Sequence, residues 1–205
     1  MIVIVDYGVG NVGSIANMLR KVGAPVQVGR TSDELRAASK LILPGVGAFD
    51  NGMAQLRNRG LVPILNELVL ERNVPILGIC LGMHLFAKRS EEGQDEGLGW
   101  IDAEVVRFNF GPGRERLKVP HMGWNTISVR DDDAQSLVPQ PSRFYFVHAY
   151  HLACRVEDDV AGRTNYGYEF ASVVRRRNIQ GVQFHPEKSL RFGMELLNRF
   201  WQSGG

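Results

Sequence analysis

The sequence has few of the features that mark secreted, membrane-bound or nucleic-acid-binding proteins. Its 205 residues contain only two cysteines, Cys80 and Cys154, so at most one disulfide can form. No apolar run approaches the roughly 20 residues that a membrane-spanning helix needs. The formal net charge is only +2 and no basic face stands out, which argues against nucleic acid as the main partner. We therefore expect a cytoplasmic protein that binds neither membranes nor nucleic acid.

The first half of the chain alternates between short apolar stretches and stretches with helical spacing. The predicted strands cover residues 2–6, 26–29, 41–43 and 74–79, with helical stretches after each of them. Ser32 with Glu34 predicts a capped start for one of these helices. The alternation predicts an α/β fold with a mixed, mostly parallel central sheet that is flanked by helices.

After Lys88 the sequence becomes rich in aromatic and β-branched residues that are separated by turn signals. These stretches predict an added antiparallel sheet region. The run 175–177, Arg-Arg-Arg, lies between two of them and is predicted to form a solvated hairpin turn. Ser189 is predicted to cap a final helix whose buried face comprises Gly193, Leu196, Leu197, Phe200 and Trp201. Since no repeat or linker interrupts the chain, residues 1–205 are expected to form a single domain.

A glycine-rich stretch follows the first predicted strand. Residues 8–13, Gly-Val-Gly-Asn-Val-Gly, match the pattern G-x-G-x-x-G of dinucleotide-binding loops. The acidic residue expected at the end of the second strand is missing, since that strand ends at Gly29-Arg30, although Arg30 can accept a 2′-phosphate. We prefer a tight turn between strand and helix. An NAD(P)-binding oxidoreductase stays open as an alternative.

The residues around Cys80 form a stronger motif. Residues 78–82, Gly-Ile-Cys-Leu-Gly, read G-x-C-x-G, the thiol counterpart of the G-x-S-x-G nucleophile elbow. Such a turn holds the nucleophile above the sheet, and its glycines are needed because side chains there would collide with neighbouring backbone. The helix N-terminus favours the thiolate, and the Leu81 N–H can point at a developing oxyanion. The pattern favours a catalytic nucleophile at Cys80 over an inert, buried cysteine.

A nucleophilic cysteine needs a base and a group that orients the base. His185 ends an apolar strand, and Glu187 follows two positions later, where an extended backbone would place both side chains on one side. A carboxylate in that position can hold the imidazole tautomer and stabilise the imidazolium. Other histidines in strand-like stretches are more often core or surface residues than catalytic ones. Cys80, His185 and Glu187 are therefore the predicted triad.

Five stretches of the sequence together resemble a known family. They are LPGVGAF at 43–49, GICLGM at 78–83, VPHMGWN at 119–125, YFVHAY at 145–150 and GVQFHPEKS at 181–189. On these stretches the chain resembles the class I, triad-type glutamine amidotransferases over essentially its whole length. Within that family, PGVGAF together with PHMGWN is similar to the glutaminase subunits of imidazole glycerol phosphate synthases.

The resemblance implies a role for each matching residue. Cys80 matches the nucleophile, His185 the general base and acid, and Glu187 the residue that orients it. The implied oxyanion hole comprises Gly45, Val46 and Leu81. The implied glutamine-binding residues are Gly47, His84, His148, Ala149 and Tyr150. The segments that face a partner subunit in the family match Met122, Trp124, Asn125 and Lys188. The family implies no cofactor and no metal.

Two positions depart from the family pattern. His84 stands where the family usually has a glutamine that contacts the substrate, and an imidazole cannot donate and accept at once with amide geometry. Glutamine binding is therefore expected to be weaker or pH-sensitive. Ala149 stands where a serine is common, although the family contacts there are made mainly through backbone.

The resemblance also implies a reaction and a partner. The cysteine attacks the side-chain amide of L-glutamine, a glutamyl thioester forms, ammonia leaves, and water releases glutamate. In a heterodimer the ammonia passes to a cyclase subunit, a (βα)₈ barrel that makes imidazole glycerol phosphate and an aminoimidazole carboxamide ribotide in histidine biosynthesis. Two alternatives stay open. One is a paralogue that delivers ammonia to another acceptor, such as a surface-polysaccharide sugar, and the other is a non-catalytic regulatory subunit.

Overall fold

A computed structural model describes residues 1–111 and 117–204, and within them an 11-stranded mixed sheet runs through the molecule. The strands are β1 (Ile2–Val5), β2 (Val26–Gly29), β3 (Lys40–Gly45), β4 (Ile76–Cys80), β5 (Arg89–Ser90), β6 (Ala103–Arg107), β7 (His121–Thr126), β8 (Ser128–Val129), β9 (Arg143–His148), β10 (Tyr150–Cys154), β11 (Val160–Asn165), β12 (Glu169–Arg176) and β13 (Ile179–Val182). The α-helices are α1 (Val12–Lys21), α2 (Ser32–Arg36), α3 (Phe49–Asn58), α4 (Leu61–Asn66), α5 (Leu81–His84), α6 (Asp132–Leu137) and α7 (Leu190–Gln202). A π-helical segment, Glu67–Glu71, continues α4, and 3₁₀ turns cover Glu157–Asp159 and Pro186–Lys188.

The large sheet has a parallel part and an antiparallel part, which meet where β13 pairs with β12. Its strand order is β2-β1-β3-β4-β13-β12-β10-β6-β5, and β11 pairs with both β12 and β8. Strands β2, β1, β3, β4 and β13 run parallel, whereas β12, β10 and β6 follow as antiparallel neighbours. Strands β7 and β9 form a separate antiparallel pair. The predicted fold class is confirmed, and most of the antiparallel region extends the central sheet.

Both faces of β1, β3 and β4 are buried, which explains why their residues are apolar or glycine except for Lys40 at the start of β3. In β1, Val3 and Val5 pack into one apolar cluster, and Ile2 and Ile4 pack into the cluster on the opposite face. Residues of α1 and α7 complete the second cluster, and residues of α2, α3 and α4 complete the first. The carboxyl ends of the parallel strands therefore form one open edge of the sheet, and Cys80 lies at that edge.

Two of the predicted helix caps are wrong. Helix α2 is capped by Thr31, whose side chain accepts from the Glu34 N–H while the Glu34 carboxylate accepts from the Thr31 N–H. Ser32 is already helical, so the predicted cap lies one residue too late. Ser189 precedes α7, but its hydroxyl donates to the His185 carbonyl and accepts from the Tyr145 N–H. The serine therefore links the segment that carries His185 to β9 and leaves α7 without a side-chain cap.

Other local predictions agree with the structure. Strands β12 and β13 form the predicted hairpin, but Arg175 and Arg176 belong to β12, and of the three arginines only Arg177, with a φ of 55°, lies in the turn. Helix α7 buries Gly193, Leu196, Leu197 and Phe200, with Trp201 half-buried at the edge of the same face. Among the described residues, no helix is both long and apolar enough to cross a membrane.

Candidate active site

Cys80 occupies a strained turn between strand and helix. It is the last residue of β4, and Leu81 begins α5 with no intervening loop. Its φ of 53° and ψ of −109° lie outside the regions that residues other than glycine commonly adopt. Strain of this kind persists only where the surrounding structure fixes it, and it is typical of functional sites. The geometry is that of a nucleophile elbow.

The two glycines beside Cys80 have no room for a side chain. A Cβ atom at Gly82 would collide with the carbonyl oxygen of Leu43 in β3. A Cβ atom at Gly78 would lie 2.6 Å from the Phe86 ring and 2.8 Å from the Met83 Cα. The predicted collision with neighbouring backbone is therefore confirmed at Gly82, whereas at Gly78 the Phe86 ring is closer than the Met83 backbone.

His185 lies beside Cys80 because β13 runs parallel to β4. Val182 stands opposite Ile79 in that pairing, so the chain that follows Val182 passes the end of β4. His185 Nδ1 lies 2.8 Å from Glu187 Oε1, and both side chains are only 2% exposed. The fold thus brings the three side chains of the predicted triad together at one buried position.

The electrostatics of this group favour a protonated imidazole. Burial lowers the pKa of His185, but hydrogen bonds with Cys80 and Glu187, together with the negative charges of both groups, outweigh burial and raise this pKa to about 10. At neutral pH, His185 is therefore an imidazolium that donates from Nδ1 to Glu187 and presents its other N–H to Cys80. An imidazolium in this position can pair with a thiolate, the form in which a cysteine attacks.

The backbone from His185 to Glu187 is not extended, so that part of the prediction is wrong. Residues Pro186–Lys188 form a 3₁₀ turn in which the Lys188 N–H donates to the His185 carbonyl at 3.0 Å. Pro186 favours this start because its φ is fixed and it has no N–H to satisfy. The tight turn, rather than strand alternation, returns the Glu187 carboxylate to the imidazole.

A cavity of about 510 Å³ opens beside Cys80 at the carboxyl edge of the sheet. Its lining includes most residues predicted for the oxyanion hole and for glutamine binding, namely Val46, Gly47, Leu81, His84, His148, Ala149 and Tyr150. His185 and Lys188 line the same cavity, whereas Gly45 lies in β3, opposite Cys80 in the strand register. A larger cavity of about 650 Å³ lies around Phe108, and none of the predicted triad residues lines it.

The segment that leads into the predicted oxyanion loop is fixed by contacts with the residues that follow β1. The hydroxyl of Tyr7 is fully buried and donates to the Pro44 carbonyl at 2.7 Å. Gly10, with a φ of 104°, packs on the same segment, and a Cβ there would lie 3.2 Å from the Gly45 nitrogen. The glycine-rich turn at residues 8–13 therefore accommodates the backbone of β3, which supports its interpretation as a tight packing turn. Val46, by contrast, is 46% exposed at the cavity.

His84 is buried in the cavity wall, and its Nε2 lies 2.8 Å from Gln183 Oε1. Burial lowers the pKa of His84 to about 4, so this imidazole is neutral at physiological pH. Gln183 in turn points its Nε2 toward the Cys80 sulfur at 3.8 Å. One ring nitrogen of His84 is therefore already engaged with the protein rather than open to a ligand.

His148 belongs to a chain of hydrogen bonds that begins outside the cavity. Its Nδ1 donates to the Tyr150 carbonyl at 2.8 Å, so its Nε2 is the acceptor that faces His121 Nδ1 at 3.1 Å. Asn125 lies 3.4 Å from the remaining nitrogen of His121. Burial lowers the pKa of both histidines, to about 4 for His121. Both are satisfied core histidines, and the backbone beside His148 forms part of the cavity wall.

The residues predicted to face a partner lie on or near β7. Met122 is 62% exposed and Trp124 is 43% exposed, while Asn125 is half-buried and donates to the Asn165 carbonyl. Trp124 packs against Tyr145 of β9, and Lys188 Nζ lies 5.9 Å from the centre of the same Tyr145 ring. Trp124 and Lys188 therefore lie against the same Tyr145 ring, and Lys188 also lines the cavity.

The sequence reasoning missed two polar residues of the site: Glu92, which lines the cavity, and Gln183, which is fully buried against Cys80. Glu92 lines the cavity, and its Oε2 accepts from the Phe49 N–H at the start of α3. It lies in an acidic, glycine-containing stretch that reads as an ordinary surface loop. Gln183 offered a clearer signal, because it is a polar residue within the apolar segment that ends at His185. Within the described ranges, no group of three or more His, Cys, Asp or Glu side chains is arranged to hold a metal ion.

Comparison with known proteins agrees with this geometry. The family model for class-I glutamine amidotransferases matches residues 3–203. The chain is 49% identical over 201 residues to the imidazole glycerol phosphate synthase subunit HisH 2 of Pseudomonas aeruginosa, and the match covers 98% of both chains. It is 48% identical over 201 residues to the subunit HisH of Bdellovibrio bacteriovorus, again with 98% of both chains covered.

Solved structures share the fold at lower sequence identity. A crystal structure described as a glutamine amidotransferase superposes with a TM-score of 0.71 at 23% identity, covering 97% of this chain and 96% of the other. The PurLQS structure from Thermotoga maritima contains a chain that superposes with a TM-score of 0.72 at 18% identity, covering 98% and 95%. At these identities the likeness concerns the fold alone.

Proposed function

Because the chain belongs to the class-I glutamine amidotransferase family, we propose that it hydrolyses glutamine with Cys80 as its nucleophile and supplies the ammonia to imidazole glycerol phosphate synthesis. The observation that carries this proposal is the buried cluster of Cys80, His185 and Glu187 beside one cavity of amino-acid size. The nearly full-length similarity to subunits named for that synthase supports the choice of acceptor.

The proposed chemistry begins with the paired thiolate and imidazolium. The sulfur of Cys80 attacks the side-chain amide carbon of glutamine, and the carbonyl oxygen becomes an oxyanion that the Leu81 N–H faces at the start of α5. When the tetrahedral intermediate collapses, the C–N bond breaks and the imidazolium of His185 gives its proton to the departing nitrogen. Ammonia and a glutamyl thioester result. His185 then takes a proton from water, which attacks the thioester and releases glutamate.

The second oxyanion donor is proposed to come from the loop after β3. Val46 and Gly47 line the cavity, and Gly47 has a φ of 96°, a conformation that glycine adopts without strain. Because glycine permits large backbone rotations, this loop can present or withdraw a peptide N–H at little cost. A partner that changes the loop could therefore change the rate of hydrolysis.

The cavity suits an amino acid with a polar side chain. Its volume of about 510 Å³ lies within the range for small-ligand sites. Glu92 brings a carboxylate to the wall, and a carboxylate complements an α-ammonium group. The walls formed by His148, Ala149 and Tyr150 offer backbone groups to the rest of the ligand. We propose that these residues, with Gly47 and His84, form the glutamine site.

The partner is proposed to be a cyclase subunit, a (βα)₈ barrel, docked on the β7 face. Met122 and Trp124 expose apolar side chains there, and aromatic residues of this kind are enriched where proteins associate. Lys188 lies between that face and the cavity, so a docked partner would sit where ammonia leaves. In the complex the ammonia is used to make imidazole glycerol phosphate and an aminoimidazole carboxamide ribotide.

The test is glutamate release from glutamine by the chain alone and with a cognate cyclase barrel that carries its nucleotide ligand. We expect a low basal rate that rises when the loaded partner is added. A rate unaffected by that partner, with Cys80 still modified by a glutamine-like affinity label, would point to an amidotransferase with another acceptor. Failure of the label to reach Cys80 would contradict the glutaminase itself.

A further inference from the structure

Gln183 is a fully buried polar side chain in contact with the Cys80 sulfur, and the reaction described above leaves it without a role. It directly follows β13 and precedes His185 by two residues, so one short segment supplies both groups. Its Nε2 lies 3.8 Å from Cys80 Sγ, within hydrogen-bond range for sulfur. Its Oε1 lies 2.8 Å from His84 Nε2. Burying an amide is costly unless its polar atoms are paired, and these two contacts pair both ends.

Only one orientation of the Gln183 amide suits a negatively charged sulfur. With Nε2 toward Cys80, an N–H donates to the thiolate, and Oε1 accepts from His84. The reversed amide would place a carbonyl oxygen against the thiolate, which is repulsive. The favourable orientation requires His84 to carry its hydrogen on Nε2, so that this nitrogen donates. A buried, neutral His84 in that tautomer therefore fixes which end of the amide meets the sulfur.

We infer that Gln183 is a further catalytic residue, which donates a hydrogen bond to the Cys80 thiolate, and that His84 is a positioning residue that orients the Gln183 amide. This inference rests on the proposed role of Cys80 as nucleophile. Gln183 transfers no proton. It stabilises the negative charge on sulfur before attack and again when hydrolysis of the thioester regenerates the thiolate, whereas the neutral thioester gains little from the same donor.

The inference gives His84 a role that depends on its shape. The Nε2 of histidine and the side-chain amide nitrogen of glutamine reach similar distances from the backbone, whereas the amide of asparagine is shorter. His84→Gln can therefore still donate to Gln183 Oε1, and His84→Asn cannot. These two variants form a matched pair that differs in reach. Gln183→Met completes the set, because it keeps the approximate shape of the side chain and removes the donor.

The experiment follows alkylation of Cys80 by iodoacetamide across pH 6 to 10, with the modified peptide identified by mass spectrometry so that Cys154 is not counted. The titratable groups that face the sulfur are His185 from the segment after β13, His84 of α5 through Gln183, and Tyr7 from the turn after β1. Gln183→Met removes none of these titratable groups, so a change in its alkylation profile reports the loss of the amide donor. Folding of each variant is checked by its thermal transition.

We expect Gln183→Met and His84→Asn to slow alkylation at pH 7 about tenfold, the lower end for a hydrogen bond to a charged group. The rates should converge with the wild-type rate toward pH 10, which lies above the ordinary pKa of a free thiol. His84→Gln should keep the wild-type profile of alkylation against pH. Convergence at high pH separates loss of a donor from a merely distorted site.

Three results would overturn the inference. They are wild-type alkylation of folded Gln183→Met at pH 7, equal slowing at every pH, and indistinguishable profiles for His84→Asn and His84→Gln. The last comparison decides the matter if Gln183→Met does not fold. Glutamate release by the wild-type protein is measured in parallel. Its absence would refute the proposed function, whereas its presence with unchanged alkylation profiles would refute this inference alone.

Discussion

The buried hydroxyl of Tyr7 donates to the Pro44 carbonyl at 2.7 Å and so ties the turn after β1 to the segment that enters the cavity. Burial raises the pKa of Tyr7, with a further contribution from the negative charge of Cys80, so the phenol remains a donor at physiological pH. The bond fixes the peptide immediately before Gly45, while Val46 and Gly47 beyond it remain at the cavity surface. The buried backbone of this segment therefore ends at Gly45, the last residue of β3, and the exposed loop begins at Val46.

Tyr7→Phe should destabilise the fold and reduce glutamine hydrolysis. Removing the hydroxyl leaves the Pro44 carbonyl buried without its partner, which costs about 1–3 kcal/mol in the free energy of unfolding. Urea denaturation and the rate of glutamate release measure the two effects. Tyr166→Phe is the matched control, because its hydroxyl donates to the Lys118 carbonyl at an exposed position. If both variants lose equal stability, Tyr7 has no special role.

Gly82→Ala should be strongly destabilising because its Cβ would collide with the Leu43 carbonyl. Overpacking of this kind costs about 1–3 kcal/mol, and here the neighbour is backbone that cannot rotate away. Gly13→Ala is the control, since nothing lies within 4 Å of a Cβ at that helical position. That substitution should raise stability by about 0.5–1 kcal/mol. Thermal unfolding of the two variants decides, and equal stabilities would contradict the packing described for the elbow.

Glu187→Gln should lower the pKa of His185 and slow glutamine hydrolysis. The wild-type pKa is about 10, and the Glu187 hydrogen bond and charge contribute to that rise. The midpoint is measured by NMR of the His185 ring protons. Because an amide can hold the wrong tautomer, the rate should fall at least about tenfold. An unchanged His185 midpoint would mean that the carboxylate does not support the imidazolium.

The same pair should make stability depend on pH in a defined direction. The folded-state pKa of His185 lies above its ordinary value of 6.5, so the pairing stabilises the folded protein fully below pH 6.5. That contribution is lost as the pH rises through about 10. The stability difference between wild type and Glu187→Gln should therefore shrink between pH 7 and pH 10 in chemical denaturation. A difference that grows over this range would contradict the assignment.

Trp124→Ala should weaken binding of the cyclase partner. Exposed tryptophans at interfaces are often residues whose truncation costs about 2 kcal/mol or more, which corresponds to an affinity loss of about thirtyfold. Leu70→Ala is the control, because Leu70 is also exposed but adjoins Val69, whose carbonyl binds Asn178 at the opposite end of β4 and β13. Calorimetric titration compares the two, and equal affinities would place the partner elsewhere.

The arrangement of the parallel sheet and the elbow at Cys80 could be predicted because both depend on local patterns. Apolar runs that alternate with helical spacing predict a sheet with covered faces, and glycines on both sides of Cys80 predict backbone crowding there. His185 and Glu187 were also identified correctly as neighbours, although the turn between them is 3₁₀ rather than extended. Pro186 already indicated such a turn, since proline favours the first position of a helical turn.

Contacts between distant segments could not be predicted in the same way. The pairing of Gln183 with both His84 and Cys80 depends on β13 lying beside β4, which one sequence does not specify. Glu92 reaches the cavity because its carboxylate holds the start of α3, a contact across 43 residues of chain. Thr31 and Ser32 are both residue types that cap helices, with serine slightly preferred, and only the position of the first helical residue shows that Thr31 is the cap.

The most direct test is glutamate release by Cys80→Ala and Cys154→Ala measured beside the wild-type protein. Burial raises the pKa of Cys154 to about 12, and this second thiol lies at the end of β10 in the antiparallel part of the sheet. We predict that Cys80→Ala lowers the rate at least about 1,000-fold, since loss of a covalent nucleophile removes the thioester route. Cys154→Ala should stay close to wild type. A folded Cys80→Ala protein that keeps more than about 1% of the wild-type rate would contradict the mechanism.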